Sequence, residues 1–448
     1  MSQRTWLKNA TLVTMNADAE VFEGDLLIED GRIAAIGQVE KERAEGARVL
    51  DMSGHIITPG FVQCHIHLCQ TLMRNHADDM VLIDWLKRRI WPYEAALTHE
   101  TLGVSARVGL AELILGGTTA ILDMGTVHHT DAIGEAVEES GIRAHIGKCM
   151  MDLGDEVPAP MREVTAESIK ESLRLYETWH GKAEGRIQYA FAPRFAVSCT
   201  EELLREVGQA SRDLGCHIHT HASETTYENV FTQERYGVSN IAFLEQVGIT
   251  GSRSVLAHGV HVSDEDCQIL STTQTCICHC PSSNLKLASG IANMPRYDRM
   301  GVRVALGADG APCNNNLDAF IEMRLAALLQ KPFHGPEAMP AERVFRLATM
   351  DGARALGIDD KVGSLEVGKS ADLVVFDLDN DPGCGPGGNV YARLVYTAQK
   401  HNVRHVFASG RQLVDGGELV GVDLGQLMAR ARKAHHTTAE RMQQFISG

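Results

Sequence analysis

The chain has 448 residues, 44% hydrophobic and 22% charged, which is long enough for a barrel of about 250 residues together with a smaller domain. The formal net charge of −16 argues against nucleic acid and anionic membranes as partners, because both are negatively charged. No apolar run approaches the about 20 residues of a membrane helix, and residues 1–12 lack a signal-peptide core, so we expect a cytoplasmic protein.

The first 57 residues contain short strands separated by turns. Residues 11–15 and 25–29 have the composition of strands, and Asp30-Gly31 is a typical hairpin turn that leads into a return strand at 32–36. A similar pattern recurs only over residues 363–422. We therefore expect a small β-sandwich domain that is built from both chain ends.

Between these ends, apolar strands alternate with helical segments. Strands are predicted at 120–124, 144–148, 187–191, 216–221, 254–258 and 302–307, and helices at 99–115, 165–180, 200–214 and 340–356. This alternation predicts an α/β fold, a (β/α)8 TIM-like barrel, over residues 58–362. A doubly wound sheet is the alternative, but no Gly-x-Gly-x-x-Gly motif follows an early strand. Residues 423–448 are predicted to form a C-terminal helix.

The eleven cysteines are scattered along the chain, and only Cys276, Cys278 and Cys280 form a cluster. Their spacing of two places all three on one face of a strand. A metal site built from them is possible, but ligands on one flat strand close a tetrahedron poorly. Buried reduced thiols are the preferred interpretation.

Polar residues end several of the predicted strands, where barrel enzymes carry their active groups. These residues are His65 and His67, His221, His258 and Asp309. One His-x-His pair is weak evidence in a chain with 20 histidines, and a lone histidine at a strand end is more often structural. The joint pattern is stronger, because imidazoles and a carboxylate arrive from four different strands.

His65, His67, His221 and Asp309 together offer a nitrogen and oxygen ligand set that suits one divalent metal ion. Zn²⁺ is the preferred ion, with Fe²⁺ or Mn²⁺ as substitutes, and such catalytic sites keep one position open for water. Glu224 follows His221 by three residues, so its carboxylate could transfer protons beside that water. The alternative interpretation makes Glu224 an ordinary helix-start residue.

Five segments carry a resemblance to the amidohydrolase superfamily, specifically to its cyclic deaminase branch. They are residues 59–67, 221–224, 257–258, 280–287 and 306–310. The resemblance implies a single metal and catalytic roles for Glu224, His258 and Asp309. It also implies no carboxylated lysine; the predicted fourth strand ends at Arg194, and Lys148 on the third is a weak candidate for such a residue.

Within this branch the chain resembles deaminases of 5′-deoxyadenosine, methylthioadenosine and S-adenosylhomocysteine, and it is also similar to N-ethylammeline chlorohydrolases. The stretch with Trp85 and Glu94 resembles the nucleoside enzymes, in which the residue matching Glu94 accepts hydrogen bonds from ribose hydroxyls. A solvated helix-start carboxylate is the alternative for Glu94. Arg194 stands where these enzymes commonly have a histidine, and with Gln70 it resembles guanine deaminase.

The resemblance therefore implies hydrolytic deamination of an aminopurine nucleoside, a small-molecule substrate, to an inosine-type product and ammonia. An s-triazine chlorohydrolase or aminohydrolase and a guanine-type free-base deaminase are the alternatives. A non-catalytic scaffold is a remote one, because all four ligands and both proton-transfer candidates are present. A homo-oligomer is expected by analogy with similar barrels.

Overall fold

The computed structural model describes residues 4–446, so residues 1–3 and 447–448 of the predicted chain-end segments lie outside the described residues. The first strands belong to a mixed sheet: β1 Thr5–Val13, β2 Val21–Glu29, β3 Arg32–Gly37, β4 Arg48–Asp51 and β5 His55–Pro59. β1 pairs with β2 in antiparallel and with β4 and β5 in parallel orientation. Asp30 and Gly31 both have positive φ, as the predicted hairpin turn between β2 and β3 requires.

The next strands form a parallel sheet in which neighbours in the chain are neighbours in space. They are β6 Phe61–His67, β7 Thr118–Asp123, β8 Arg143–Ile146, β9 Cys149–Met150, β10 Ile187–Pro193, β11 His217–Ala222, β12 Ser254–His258, β13 Cys276–His279, β14 Arg303–Leu306 and β15 Asp309–Gly310. β15 pairs in parallel with β6, which joins the last barrel strand to the first. The predicted (β/α)8 barrel is confirmed.

Gly307 lies where the last strand meets the first. A Cβ atom at this position would lie 2.8 Å from both the backbone N and the backbone O of His65. Because real Cβ atoms do not approach backbone atoms so closely, only glycine allows β14 and β6 to come together here. The closure of the barrel therefore depends on the residue that comes two positions before Asp309.

Helices follow or connect the strands and cover the outside of the barrel. They are α1 Leu82–Trp85, α2 Trp91–Ala96, α3 His99–Leu115, α4 Asp131–Ser140, α5 Thr165–Trp179, α6 Lys182–Gly185, α7 Glu201–Leu214, α8 Thr226–Tyr236, α9 Asn240–Gln246, α10 Asp264–Thr273, α11 Pro281–Lys286, α12 Met294–Met300, α13 Ala311–Asn314, α14 Ala319–Leu328, α15 Lys331–His334, α16 Ala341–Leu347, α17 Met350–Ala355, α18 Val390–Ala392 and α19 Leu424–Met442. The single helix predicted at 340–356 is wrong, because Thr349 has φ −129° and ψ −93° and separates α16 from α17.

The end of the chain returns to the first sheet through β16 Leu373–Asp377, β17 Val403–Ala408, β18 Arg411–Asp415 and β19 Glu418–Leu419. β16 pairs in antiparallel orientation with β5, so both chain ends build one sheet, as predicted. The N-terminal contribution ends with β5 at Pro59, close to the proposed domain limit at residue 57. All eleven cysteines are buried and free, which agrees with the preferred interpretation of Cys276, Cys278 and Cys280. Over residues 4–446, no helix has the length and apolar character needed to cross a membrane.

Candidate active site

Four side chains converge at the carboxyl end of the barrel strands. One ligand atom each from His65, His67, His221 and Asp309 lies within 4.8 Å of the other three. The Nε2 atoms of His65 and His67 lie 3.2 and 3.3 Å from Oδ1 of Asp309. Nε2 of His67 and Nε2 of His221 are 3.3 Å apart. The strand ends therefore bring together the four predicted ligands, although they come from distant parts of the chain.

Hydrogen bonds on the far side of two rings hold their orientation. Nδ1 of His221 lies 2.7 Å from the carbonyl oxygen of Arg194, and Nδ1 of His65 lies 2.7 Å from Nε2 of His219. Fixing one ring nitrogen in this way leaves the other aimed at the shared centre. His219 was not predicted to matter; it lies on β11 two residues before His221 and so faces the same side of the strand.

The electrostatics of this group suit a cation. Burial and the neighbouring His65 lower the pKa of His67 and of His221 well below the usual value, so their rings are neutral. Burial opposes ionisation of Asp309, but the contact with His65 holds the pKa of Asp309 well below its usual value. The buried Nε2 of His65 lies 3.2 Å from Oδ1 of Asp309 but makes no hydrogen bond of good geometry. Neutral imidazoles with free lone pairs beside a carboxylate are the donor set that a divalent ion needs, so the residues present fit the implied metal.

Three residues at these strand ends have left-handed backbone conformations. Ser223 has φ 49°, His258 has φ 76° and Asp309 has φ 63°. Such conformations cost a non-glycine residue roughly 1–3 kcal/mol and persist where the surrounding structure enforces them. They follow β11, end β12 and begin β15, and they turn the chain where the candidate side chains enter the site.

Glu224 and His258 lie beside the four-residue group and face each other. Nε2 of His258 is 3.5 Å from Oε2 of Glu224 and 3.9 Å from Oδ2 of Asp309. Burial, supported by the charge of Asp309, raises the pKa of Glu224. Burial lowers the pKa of His258, but the charges of Glu224 and Asp309 outweigh it and raise that pKa. A carboxyl group whose pKa is raised holds its proton more readily and can act as a proton donor.

Three polar residues that sequence reasoning did not single out support this arrangement. Oγ of Ser283 donates to Oδ2 of Asp309 at 2.6 Å, and Oγ of Ser289 donates to Oε1 of Glu224 at 2.9 Å. Oδ1 of Asn284 lies 2.8 Å from Nδ1 of His258. Ser283 and Asn284 belong to α11, which directly follows β13, so their position after a barrel strand was a usable signal.

A narrow cavity opens above this group; the space within it and at its mouth, solvent included, amounts to about 370 Å³. The predicted residues in its lining are His67, Gln70, Trp85, Arg194, His221, Glu224, His258 and Asp309. The lining residues that were not predicted are all apolar: Leu82, Leu86, Phe195 and Leu287. Leu82 and Trp85 belong to α1, and Leu86 begins the π-helical turn that joins α1 to α2. The cavity thus has apolar walls and a polar floor, as small-molecule sites commonly do.

Glu94 lies behind the cavity wall and bonds to two residues that line it. Arg194 donates to both Glu94 oxygens at 2.7 and 3.2 Å, and Nε2 of Gln70 donates to Oε1 at 2.8 Å. Glu94 is only 5% exposed, so a solvated helix-start carboxylate is excluded. The positive charge of Arg194 is therefore balanced inside the protein before any substrate binds.

Lys148 lies apart from the four-residue group. It is buried, and its Nζ lies 2.5 Å from Oε1 of Glu163 and 3.1 Å from the carbonyl oxygen of Cys149. This ion pair satisfies the amine within the wall of the barrel. Lys148 is therefore paired with Glu163 away from the four-residue group.

Comparison with known proteins extends the resemblance over nearly the whole chain. The model of the amidohydrolase family matches residues 56–413. The 5′-deoxyadenosine deaminase of Methanosarcina acetivorans is 38% identical over 430 residues, which cover 96% of each chain. The 5-methylthioadenosine/S-adenosylhomocysteine deaminase of Thermococcus onnurineus is 39% identical over 414 residues, which cover 92% of this chain and 94% of that protein.

Solved structures show the same fold. A zinc-bound adenosine deaminase from Xanthomonas campestris is 30% identical with a TM-score of 0.91, over 97% of this chain and 98% of that one. A zinc-bound atrazine chlorohydrolase from Arthrobacter aurescens is 25% identical with a TM-score of 0.90, over 96% of this chain and 100% of that one. The two neighbours share the architecture and are named for different substrates.

Proposed function

This chain belongs to the amidohydrolase family, and from that premise we propose that it hydrolytically deaminates a 6-aminopurine nucleoside of the 5′-deoxyadenosine, methylthioadenosine or S-adenosylhomocysteine class. The observation that carries the proposal is the buried group of three histidines and one aspartate with Glu224 and His258 beside it. The relatives from Methanosarcina acetivorans and Thermococcus onnurineus support the substrate class.

We propose that His65, His67, His221 and Asp309 hold one Zn²⁺ ion. The nitrogen-rich donor set and the zinc in the two solved neighbours support this choice of metal. When bound, such an ion would supply the positive charge that lowers the pKa of a water molecule, so that the water can lose a proton near neutral pH and become a nucleophile. Deamination then requires the protein to orient that water and to move protons.

We assign the proton transfers to Glu224, His258 and Asp309. Asp309 and His258 orient the attacking water and help to remove its proton. Glu224, whose pKa is raised by burial, delivers a proton to the ring nitrogen next to the amine-bearing carbon. The proton taken from the water then passes to the leaving amine, either directly from Asp309 or through Glu224, and ammonia departs. Ser289 keeps Glu224 in place through its hydrogen bond to Oε1.

The residues around the cavity offer contacts to the purine and to the ribose of the nucleoside. Trp85 and the leucines around it offer apolar surface for the purine, and Arg194 and Gln70 offer polar groups at its edge. A carboxylate has about four lone-pair sites, of which Glu94 uses three for Arg194 and Gln70. We propose that the remaining site accepts a hydrogen bond from a ribose hydroxyl. Because the Glu94 carboxylate is covered in this structure, this contact requires the lining residues Arg194 and Gln70 to shift when the nucleoside binds.

A screen of ammonia release by the zinc-loaded protein tests the function. The panel contains adenosine, 5′-deoxyadenosine, methylthioadenosine, S-adenosylhomocysteine, guanine and an s-triazine, with the Glu224→Gln variant as the control for contaminating activity. We expect conversion of adenine nucleosides to inosine-type products by the wild-type protein alone. Activity confined to triazines or to guanine would contradict the proposal.

We also propose that the protein is a cytoplasmic homo-oligomer. Exposed apolar residues near the start of α19 support an oligomeric contact, since Val420, Val422 and Leu424 are 44–45% exposed. Light scattering on the purified protein tests the oligomeric state, and a monomer at micromolar concentration would contradict it. Fractionation of cells that express the protein tests its location.

A further inference from the structure

A second cavity, which we call the lower cavity, lies at the other end of the barrel. The space within it and at its mouth, solvent included, amounts to about 890 Å³. It lies where strands begin: Arg143 starts β8, His217 starts β11, and Arg253 directly precedes β12. His217 and His221 lie on the same strand four residues apart, which corresponds to about 13 Å at about 3.3 Å per residue. The lower cavity is therefore separate from the candidate active site.

The lining of the lower cavity is strongly basic. Among the described residues that form it, there are four cations, three histidines and no aspartate or glutamate: Arg143, Arg186, Arg253, Lys361, His145, His180 and His217. This composition is unexpected in a chain with a net charge of −16. A concave surface lined by one sign of charge concentrates ions of the opposite sign.

Two of these cations are already engaged. Nε of Arg143 lies 3.0 Å from Oδ2 of Asp372, which balances its charge. Arg186 donates to the carbonyl oxygen of Ile142 at 2.8 Å and keeps its full charge. Among residues 4–446, Arg253 and Lys361 form no ion pair, and both side chains are exposed at the edge of the cavity. They come from different segments and are free to bind an anion.

A buried imidazole completes the lining. His217 is 8% exposed, and its Nε2 has no hydrogen-bond partner. Gly357 leaves that atom uncovered, because a Cβ there would lie only 3.7 Å from Nε2. Burial and the charge of Arg253 lower the pKa of His217 to about 4. Burial, followed by His217 and His180 and to a smaller extent Lys361, lowers the pKa of His145. The charge of Arg253 therefore acts on His217 and that of Lys361 acts on His145, and the centroids of these two rings are 4.7 Å apart.

We propose that the lower cavity binds a phosphate group, either of inorganic phosphate or of a phosphorylated small molecule. Several cations from separate segments match the multiple charges and acceptor oxygens of a phosphate better than those of a carboxylate. A buried polar atom without a partner is uncommon in native proteins, and a phosphate oxygen or its proton gives Nε2 of His217 a partner. The cavity is open to solvent, so a substituent on the phosphate can extend through its mouth.

Titration calorimetry on the zinc-loaded protein tests this proposal, with inorganic phosphate and glycerol 3-phosphate as separate probes. The test variant is Arg253→Gln/Lys361→Gln. The matched control, Arg432→Gln/Lys433→Gln, removes two exposed charges from α19, which packs on α2 and α3. The Tm of each protein with and without phosphate provides a second readout, because a ligand that binds the folded state raises Tm.

We expect saturable phosphate binding that is at least tenfold weaker in the Arg253→Gln/Lys361→Gln variant and within twofold of wild type in the control. Tighter binding of glycerol 3-phosphate would support a phosphorylated molecule as the source, and tighter binding of inorganic phosphate would support the free ion. Equal binding by wild type and test variant would overturn the proposal, because it would place the phosphate outside the lower cavity, for example at the candidate active site. Absence of saturable binding would overturn it too.

Discussion

The two ends of the barrel carry opposite electrostatic surfaces, although the same strands build both. At the carboxyl end, β11 places a neutral His221 beside Asp309 and Glu224, which suits a cation. At the amino end, the same strand begins with His217 between Arg253 and Lys361, without a carboxylate among the described lining residues. The difference shows that a histidine on a barrel strand acquires its role from the charges that neighbouring strands and loops bring to it.

Removal of the carboxylate at the carboxyl end should have the largest effect. Asp309→Asn takes away the negative charge that helps the three histidines to hold an ion. We therefore expect the metal content to fall well below one ion per chain and the turnover to be lost. Metal analysis and ammonia release measure both quantities. The exposed variant Asp264→Asn is the control; an Asp309→Asn protein with full metal content would contradict the ligand assignment.

Glu224→Gln should separate chemistry from metal binding. The amide cannot deliver a proton, so we expect kcat to fall by about 10²–10⁴-fold while metal content stays at the wild-type level. Glu234→Gln makes the same change on the exposed side of α8 and should be neutral. Substantial turnover in the Glu224→Gln variant would remove Glu224 from the mechanism.

Glu94→Gln should leave the charge of Arg194 buried without its partner. Breaking a buried ion pair in this way costs about 3–5 kcal/mol of the free energy of unfolding, which chemical denaturation measures. The exposed pair of Arg205 and Glu201 is the control, because Glu201→Gln should cost less than about 1 kcal/mol. If Glu94 also accepts a ribose hydroxyl, kcat/KM should fall more for nucleosides than for guanine; equal losses would argue against that contact.

Asn284→Ala should act through His258. Nδ1 of His258 would lose its partner, so the ring would be held less well beside Glu224. Loss of such an orienting residue costs about 10–100-fold in activity or metal affinity. Steady-state kinetics measures the loss, and Asn380→Ala, a change in an exposed turn, is the control. Wild-type kcat in the Asn284→Ala variant would show that the orientation of His258 does not matter.

The smallest effect is expected at the amino end. In phosphate-free buffer, Arg253→Gln/Lys361→Gln should keep kcat/KM within about twofold of wild type, because exposed changes far from the reacting atoms rarely matter. The assay is the same ammonia release. A large loss of activity would show that the two ends of the barrel are coupled, and they could then no longer be treated as separate sites.

The barrel and the approach of His65, His67, His221 and Asp309 to one another could be predicted because both rest on local patterns. Each apolar strand is followed by a helix, and parallel strands end at the same rim, so His65, His221 and Asp309 had to approach one another once the fold was known. The hairpin at Asp30-Gly31 was equally local. These features need only the period of the sequence and the geometry of a barrel.

Other features depend on contacts that no local pattern records. The ion pair between Glu94 and Arg194 joins residues 100 positions apart, and whether a carboxylate there is solvated depends on tertiary packing. The break at Thr349 interrupts a segment that remains helical on both sides. The lower cavity gathers basic residues from five separate segments, so its charge is visible only after folding.

The join between β15 and β6 gives the proposed metal site a second role, in the stability of the barrel. Only two residue pairs, Asp309 with Ile66 and Gly310 with His67, close the barrel along this line in the described chain. His65 and His67 lie on β6 and Asp309 lies on β15, so the proposed ligands are on both sides of this join. His65 and Asp309 are 244 positions apart in the sequence. An ion held there would link the first strand to the last. It would add RT ln(1 + [M]/Kd) to the free energy of unfolding, where [M] is the free metal concentration and Kd its dissociation constant. Chelators would then shorten the lifetime of the folded protein as well as abolish its turnover.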